Sequence, residues 1–112
     1  MASLQEPYPP FEVTVQRDDG VATVVVSGEL DLATVPRLSA AVAEHRDARL
    51  LVLDLTAVTF IDSTGIAVLL EANQKLEADG RHMLIVNVQR GPRRVFETLG
   101  LTDLLRVERE SA

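Results

Sequence analysis

The chain of 112 residues contains no cysteine and no tryptophan, and its one lysine, Lys75, stands beside ten arginines, a bias we read as a trait of the source genome. Without cysteine there is no disulfide scaffold, no thiolate metal site and no cysteine nucleophile. Aromatic residues make up 4% of the chain, too few for a surface on which bases stack. Eleven basic side chains against seventeen acidic ones leave a net charge of −6, a field that repels nucleic acid and anionic lipid. No apolar run approaches the roughly 20 residues that cross a bilayer. The segment Met1-Ala2-Ser3-Leu4-Gln5-Glu6 lacks the basic stretch and apolar core of a secretory signal. The expectation is a cytoplasmic protein with no nucleic-acid or membrane partner and no cofactor.

Apolar residues account for 46% of the sequence, enough for one ordinary core in one domain. Pro7, Pro9 and Pro10 mark residues 1–10 as a flexible tail; the domain occupies 11–108, and 109–112 form a short C-terminal tail. Phe11, Val13 and Val15 alternate with Glu12, Thr14 and Gln16, the period of a half-buried strand. Asp18-Asp19-Gly20 is hairpin chemistry, and 21–27 form the returning strand before Gly28-Glu29-Leu30-Asp31 breaks the pattern. Leu38, Ala41 and Val42 recur at helical spacing, with Asp31 or Thr34 as N-cap and Pro36 in the first turn. Residues 50–55 read as a central strand covered on both faces, followed by a loop over 56–61. Ile66, Leu69, Leu70, Asn73 and Leu76 trace a second helix, closed by Gly80. Residues 83–88 read as another strand. Gly91-Pro92 opens a third helix with Val95, Phe96 and Leu99 as its apolar face, and 104–107 read as a last short strand. Strands separated by helices pair in parallel through right-handed crossovers.

Catalytic constellations are scarce. His45 and His82 lack the carboxylate spacing of a helical metal site and read as surface or boundary residues. The segment around Ser63 resembles a hydrolase nucleophile elbow only in part. That turn needs glycine two residues before the serine, where Ile61 stands, and an acid followed by a histidine after it. P-loop, dinucleotide and EF-hand motifs are absent, and Asp54 reads as a local acceptor for loop amides.

The informative segment is Asp62-Ser63-Thr64-Gly65. Read locally, Asp62 is an N-cap, Ser63 and Thr64 fill the first helical turn and Gly65 permits close packing. Read functionally, a serine there lies among free amides at the positive end of the helix dipole. Phosphorylation would add about −1.5 to −2 charge without melting the helix. Arg90, Arg93 and Arg94 cluster at the start of the third helix; they read either as an anion or partner contact or as a solvated face.

Phe60-Ile61-Asp62-Ser63-Thr64-Gly65-Ile66 follows Gly28-Glu29-Leu30-Asp31 by about thirty residues, and the chain closes on Arg93-Arg94-Val95-Phe96-Glu97-Thr98-Leu99-Gly100-Leu101. In these segments the chain resembles the STAS domain of bacterial anti-sigma factor antagonists. The resemblance implies a single α/β domain: a small mixed sheet, made of an N-terminal hairpin plus parallel strands, packed with about four helices. It implies no enzymatic activity. The unphosphorylated antagonist binds an anti-sigma factor that is also a serine kinase with a GHKL-type ATP site, and so frees the sigma factor. Phosphorylation falls on the first serine after the motif aspartate, here Ser63, and abolishes binding; a PPM-type phosphatase reverses it. Asp31, Asp62, Ser63, Thr64 and Gly65 are the implied partner-binding residues, with Asp31 near the phosphosite and Thr64 the rival acceptor. The alternative on the same fold is an interaction module of a transporter, lipid-trafficking or stress-signalling complex without a kinase switch.

Overall fold

A computed structural model of the chain describes residues 10–108. The tails expected over 1–10 and 109–112 lie outside the described residues apart from Pro10, whose carbonyl accepts a hydrogen bond from the Ser27 hydroxyl at 3.1 Å.

The alternating residues form β1 (Glu12–Asp18) and β2 (Val21–Leu30), antiparallel across a two-residue turn. Asp19 and Gly20 have φ of 53° and 80°, the pair of positive values that matches a tight turn to the right-handed twist of a hairpin. Helix α1 (Val35–Glu44) carries Pro36 in its first turn, where a missing N–H costs nothing. Strand β3 (Leu50–Ile61) lies parallel to β2, helix α2 (Ser63–Ala78) follows, β4 (His82–Val86) lies parallel to β3, and α3 (Arg90–Thr98) completes the elements. The sheet order is β1-β2-β3-β4, as short crossovers between neighbouring parallel strands require.

Ala22, Val24 and Val26 of β2, Leu51, Leu53 and Leu55 of β3, and Met83 and Ile85 of β4 are fully buried. Leu38 of α1, Leu69 and Leu76 of α2 and Phe96 of α3 pack into the same core. Each such Leu contributes about 1.5–3 kcal/mol of transfer free energy. Helix α2 keeps its expected stripe: Ile66, Leu69, Asn73 and Leu76 are buried and Leu70 half-buried. It closes on Gly80 at φ 74°, with the Arg81 amide donating to the Leu76 carbonyl, a glycine stop that returns orphan carbonyls a partner.

Five expectations need correction. The described residues hold three α-helices, not about four. Residues 102–106 form turns, and Val107 makes a single isolated bridge to Ile85 instead of a strand. The central strand is not covered equally on both faces: Leu50, Val52 and Asp54 remain half-buried. Leu99, expected on the apolar face of α3, is 55% exposed.

The fifth difference matters most. The pattern break at Gly28 and the loop expected over 56–61 are strand in both cases, because the two segments pair with each other. At register slips between Val25 and Ser27 and between Gly28 and Glu29, β3 carries an extra residue each time; β2 keeps its alternation through Leu30, whereas β3 buries every third residue, Leu55, Val58 and Ile61, without ending the ladder. Gly28 sits in the irregular stretch at φ 93°, and a Cβ there would stand 2.8 Å from the Phe11 Cα; only glycine fits. The extension lets β2 and β3 finish together on the pair Leu30 and Ile61.

Candidate functional site

Because the parallel strands end in register, the next residues, Asp31 and Asp62, emerge side by side at one end of the two inner strands, at the roughly 5 Å spacing of neighbouring strands. The Asp62 amide donates to the Leu30 carbonyl at 3.2 Å, tying the second exit to the first.

Each carboxylate then organises its own turn. Asp31 Oδ1 accepts from the Ala33 amide at 3.0 Å and the Thr34 amide at 3.2 Å. The Thr34 hydroxyl donates to the Glu29 carbonyl at 2.7 Å and accepts from the Asp31 amide at 2.9 Å. Thr34 occupies the N-cap position of α1 but makes no side-chain cap bond. Asp62 is the N-cap of α2: its Oδ1 accepts from the Gly65 amide at 2.9 Å, satisfying one of the donors that a helix start leaves open. Among the described residues nothing accepts from the Ser63 or Thr64 amides or bonds the Ser63 hydroxyl. Ser63 is exposed at the first position of α2, Thr64 is half-buried and Gly65 is buried.

Gly65 is required by packing. A Cβ on it would lie 2.8 Å from the Leu30 carbonyl oxygen and 2.9 Å from Ile61 Cγ2. The start of α2 therefore rests directly on the ends of β2 and β3, and the absence of a side chain at Gly65 holds Ser63 at those strand ends. Beside the two aspartates in the chain, large apolar side chains stand exposed: Leu32 is 74% exposed and Phe60 48%. An open groove of about 340 Å³ runs between the start of α2 and α3, with Ile61, Ser63 and Ile66 on one side and Arg94, Val95 and Leu99 on the other. Exposed Leu32, Phe60 and Leu99 escaped the sequence reading; a break in strand periodicity beside a large apolar residue was the available signal.

The remaining candidates lie elsewhere. His82 opens β4 opposite Leu50, the first residue of β3, whereas Ser63 follows the last. Twelve strand residues at about 3.3 Å each separate them. His45 caps the end of α1 and is half-buried, far from the serine for the same reason, so no serine–histidine pair forms. Among the described residues no group of three or more His, Asp or Glu is placed to hold a metal ion. Asp54 accepts from the Thr56 amide at 2.9 Å and from Asn87 at 3.3 Å, a local brace where β4 ends. Of the arginine cluster, Arg90 and Arg94 are exposed and Arg93 is buried.

A model of the STAS domain matches residues 12–112. The anti-sigma-B factor antagonist of Listeria monocytogenes is 30% identical over 95 residues, 83% of this chain and 83% of that protein. The corresponding antagonist of Staphylococcus aureus is 34% identical over 99 residues, 87% of this chain and 90% of that one. The crystal structure of an anti-sigma factor antagonist from Mycobacterium paratuberculosis superposes with a TM-score of 0.79 at 30% identity, covering 90% of this chain and 87% of that chain.

Proposed function

Since the chain belongs to the STAS domain family, we propose that it acts as an anti-sigma factor antagonist whose binding is switched by phosphorylation of Ser63. The names of its relatives in Listeria and Staphylococcus support the antagonist role. The observation that carries the switch is the state of Ser63: exposed, at the first position of α2, with its hydroxyl outside the bonding that holds the helix start. Asp62, not the serine, caps the helix, so the serine is free to be modified without cost to the fold.

In this reading the unphosphorylated end, with Asp31, Asp62, Ser63 and Thr64 among exposed Leu32 and Phe60, docks on an anti-sigma factor and releases the sigma factor. The anti-sigma factor carries a GHKL-type ATP site. It transfers the γ-phosphoryl group of ATP to Ser63 Oγ; the new O–P bond replaces the bond to ADP, and the hydroxyl proton passes to a base on the kinase. The product carries about −1.5 to −2 additional charge beside Asp62 and Asp31. Like charges brought together across an interface cost several kcal/mol, which is orders of magnitude in affinity. Hydrolysis of the phosphoserine by a PPM-type phosphatase restores the binding form.

Binding to GHKL-type anti-sigma kinases, followed by calorimetry with and without ATP, tests this. Ser63→Ala is expected to bind and to stay bound in ATP, and Ser63→Glu to bind at least tenfold more weakly with an unchanged melting temperature. Binding of the wild type that ATP leaves intact would instead favour a STAS interaction module without a kinase switch. Tandem mass spectrometry that places the phosphate on Thr64 would move the switch by one residue.

A further inference from the structure

The arginine cluster at the start of α3 takes no part in the switch as described. The chain has six more acidic than basic residues, and Arg17, Arg46, Arg49 and Arg106 each meet a carboxylate, yet Arg90, Arg93 and Arg94 make no ion pair among the described residues. Arg94 differs from the other two in its place. It lines the groove between α2 and α3 from the α3 side, and Ser63 lines the same groove from the α2 side. The walls between them include Ile61, Ile66 and Val95, apolar surface that keeps part of the water away and so strengthens any charge pair formed across it. The one carboxylate on the groove, Asp62, already spends Oδ1 on the Gly65 amide. A guanidinium presents planar, paired donors that fit a phosphate with two parallel hydrogen bonds.

We propose that Arg94 is the receptor for the phosphoryl group on Ser63, so that the phosphorylated chain closes an ion pair across the α2–α3 groove. The inference rests on the reading that Ser63 is the modified residue, and it adds a second consequence to that modification. Besides repelling the partner, the phosphate and Arg94 together cover the apolar groove, removing a recess that a partner side chain could enter. Arg94 is a positioning residue for the phosphorylated state and has no part in forming the O–P bond.

The experiment is a phosphorus NMR pH titration of the full chain carrying genetically encoded phosphoserine at position 63. The second ionisation of a phosphoserine falls near pH 6. Asp62 and the helix amides act on it equally in every variant, so the comparison with Arg94→Gln isolates the guanidinium. The expected result is a midpoint about half a pH unit lower in the wild type than in Arg94→Gln, with Arg94→Lys between the two and Arg90→Gln like the wild type. Equal midpoints in the wild type and Arg94→Gln would overturn the proposal, as would a shift produced by Arg90→Gln alone. If Arg94→Gln fails to give the wild-type melting curve, the Arg94→Lys comparison decides in its place, with a midpoint equal to the wild type counting against the pair. Because the phosphoserine is installed without a kinase, failure of the switch itself is read separately: the phosphorylated chain would still capture an anti-sigma kinase while the titration keeps its result.

Discussion

At the end of the sheet where the hairpin turns and β3 and β4 begin, charged side chains find partners. Arg17 meets Asp47 at 2.9 Å, Arg46 meets Asp79 at 3.0 Å and Arg106 meets Glu77 at 2.9 Å. At the opposite end, where β2 and β3 finish, Asp31 and Asp62 make no ion pair among the described residues, and Leu32 and Phe60 stand exposed beside them. Single exposed ion pairs stabilise a fold little, so the difference is not one of stability. One end pairs several of its charges across neighbouring elements. The other sets carboxylates that have no cationic partner beside exposed large apolar groups, the composition of a surface that another protein covers.

The most disruptive way to test the contrast is to lift α2 off the strand ends. Gly65→Ala adds a methyl that must stand 2.8 Å from a backbone oxygen and 2.9 Å from Ile61. Alanine gains up to about 1 kcal/mol over glycine inside a helix, but overpacking against groups that cannot turn away costs about 1–3 kcal/mol. The clash dominates because one wall is main chain. Urea denaturation is expected to show a net loss of about 1–2 kcal/mol, together with weaker capture of the anti-sigma factor; a variant as stable as the wild type would mean that α2 does not rest on Leu30.

The next effect is chiefly on binding. Phe60 is nearly half exposed, so Phe60→Ser gives up about half the transfer free energy of a buried Phe and is expected to cost about 1 kcal/mol of stability. If the unpartnered end is the docking surface, the same variant loses about tenfold in affinity, which is about 1.4 kcal/mol. Calorimetry showing full affinity would remove Phe60 from the interface and weaken the contrast between the two ends.

Much of this end is legible in the amino-acid sequence. Asp62 is a capping residue by type, and Ser63 falls in the first turn because the stripe from Ile66 to Leu76 fixes the phase of the helix. The hairpin turn was equally plain, since Asp19-Gly20 supplies two residues tolerant of positive φ. What stayed hidden is how β2 and β3 end. Residues 56–61 do not alternate because β3 carries two extra residues against β2, and such a slip is a property of two strands together that neither segment displays alone. The exposure of Phe60 and Leu99 and the meeting of Ser63 with Arg94 on one groove are likewise tertiary. They join positions about thirty residues apart, which no local period connects.

The smallest expected effect belongs to the paired end, and its sign follows from the ion pair. The hydrogen bond from the Arg17 guanidinium, helped by its charge and that of Arg81, holds the Asp47 carboxyl below the usual aspartate value. A carboxyl whose folded value is depressed stabilises the fold above its unfolded pKa, and that contribution disappears as pH falls through the folded value. Arg17→Gln is therefore expected to lower the urea midpoint slightly at pH 7, with the gap to the wild type closing as the pH drops below about 4, where free aspartate takes up its proton. The Asp47 side chain is largely exposed, and salt screens such pairs, so the gap is also expected to narrow in 1 M sodium chloride. A gap indifferent to both pH and salt would mean that Arg17 acts through the packing of its methylene stem on β1 and not through its charge.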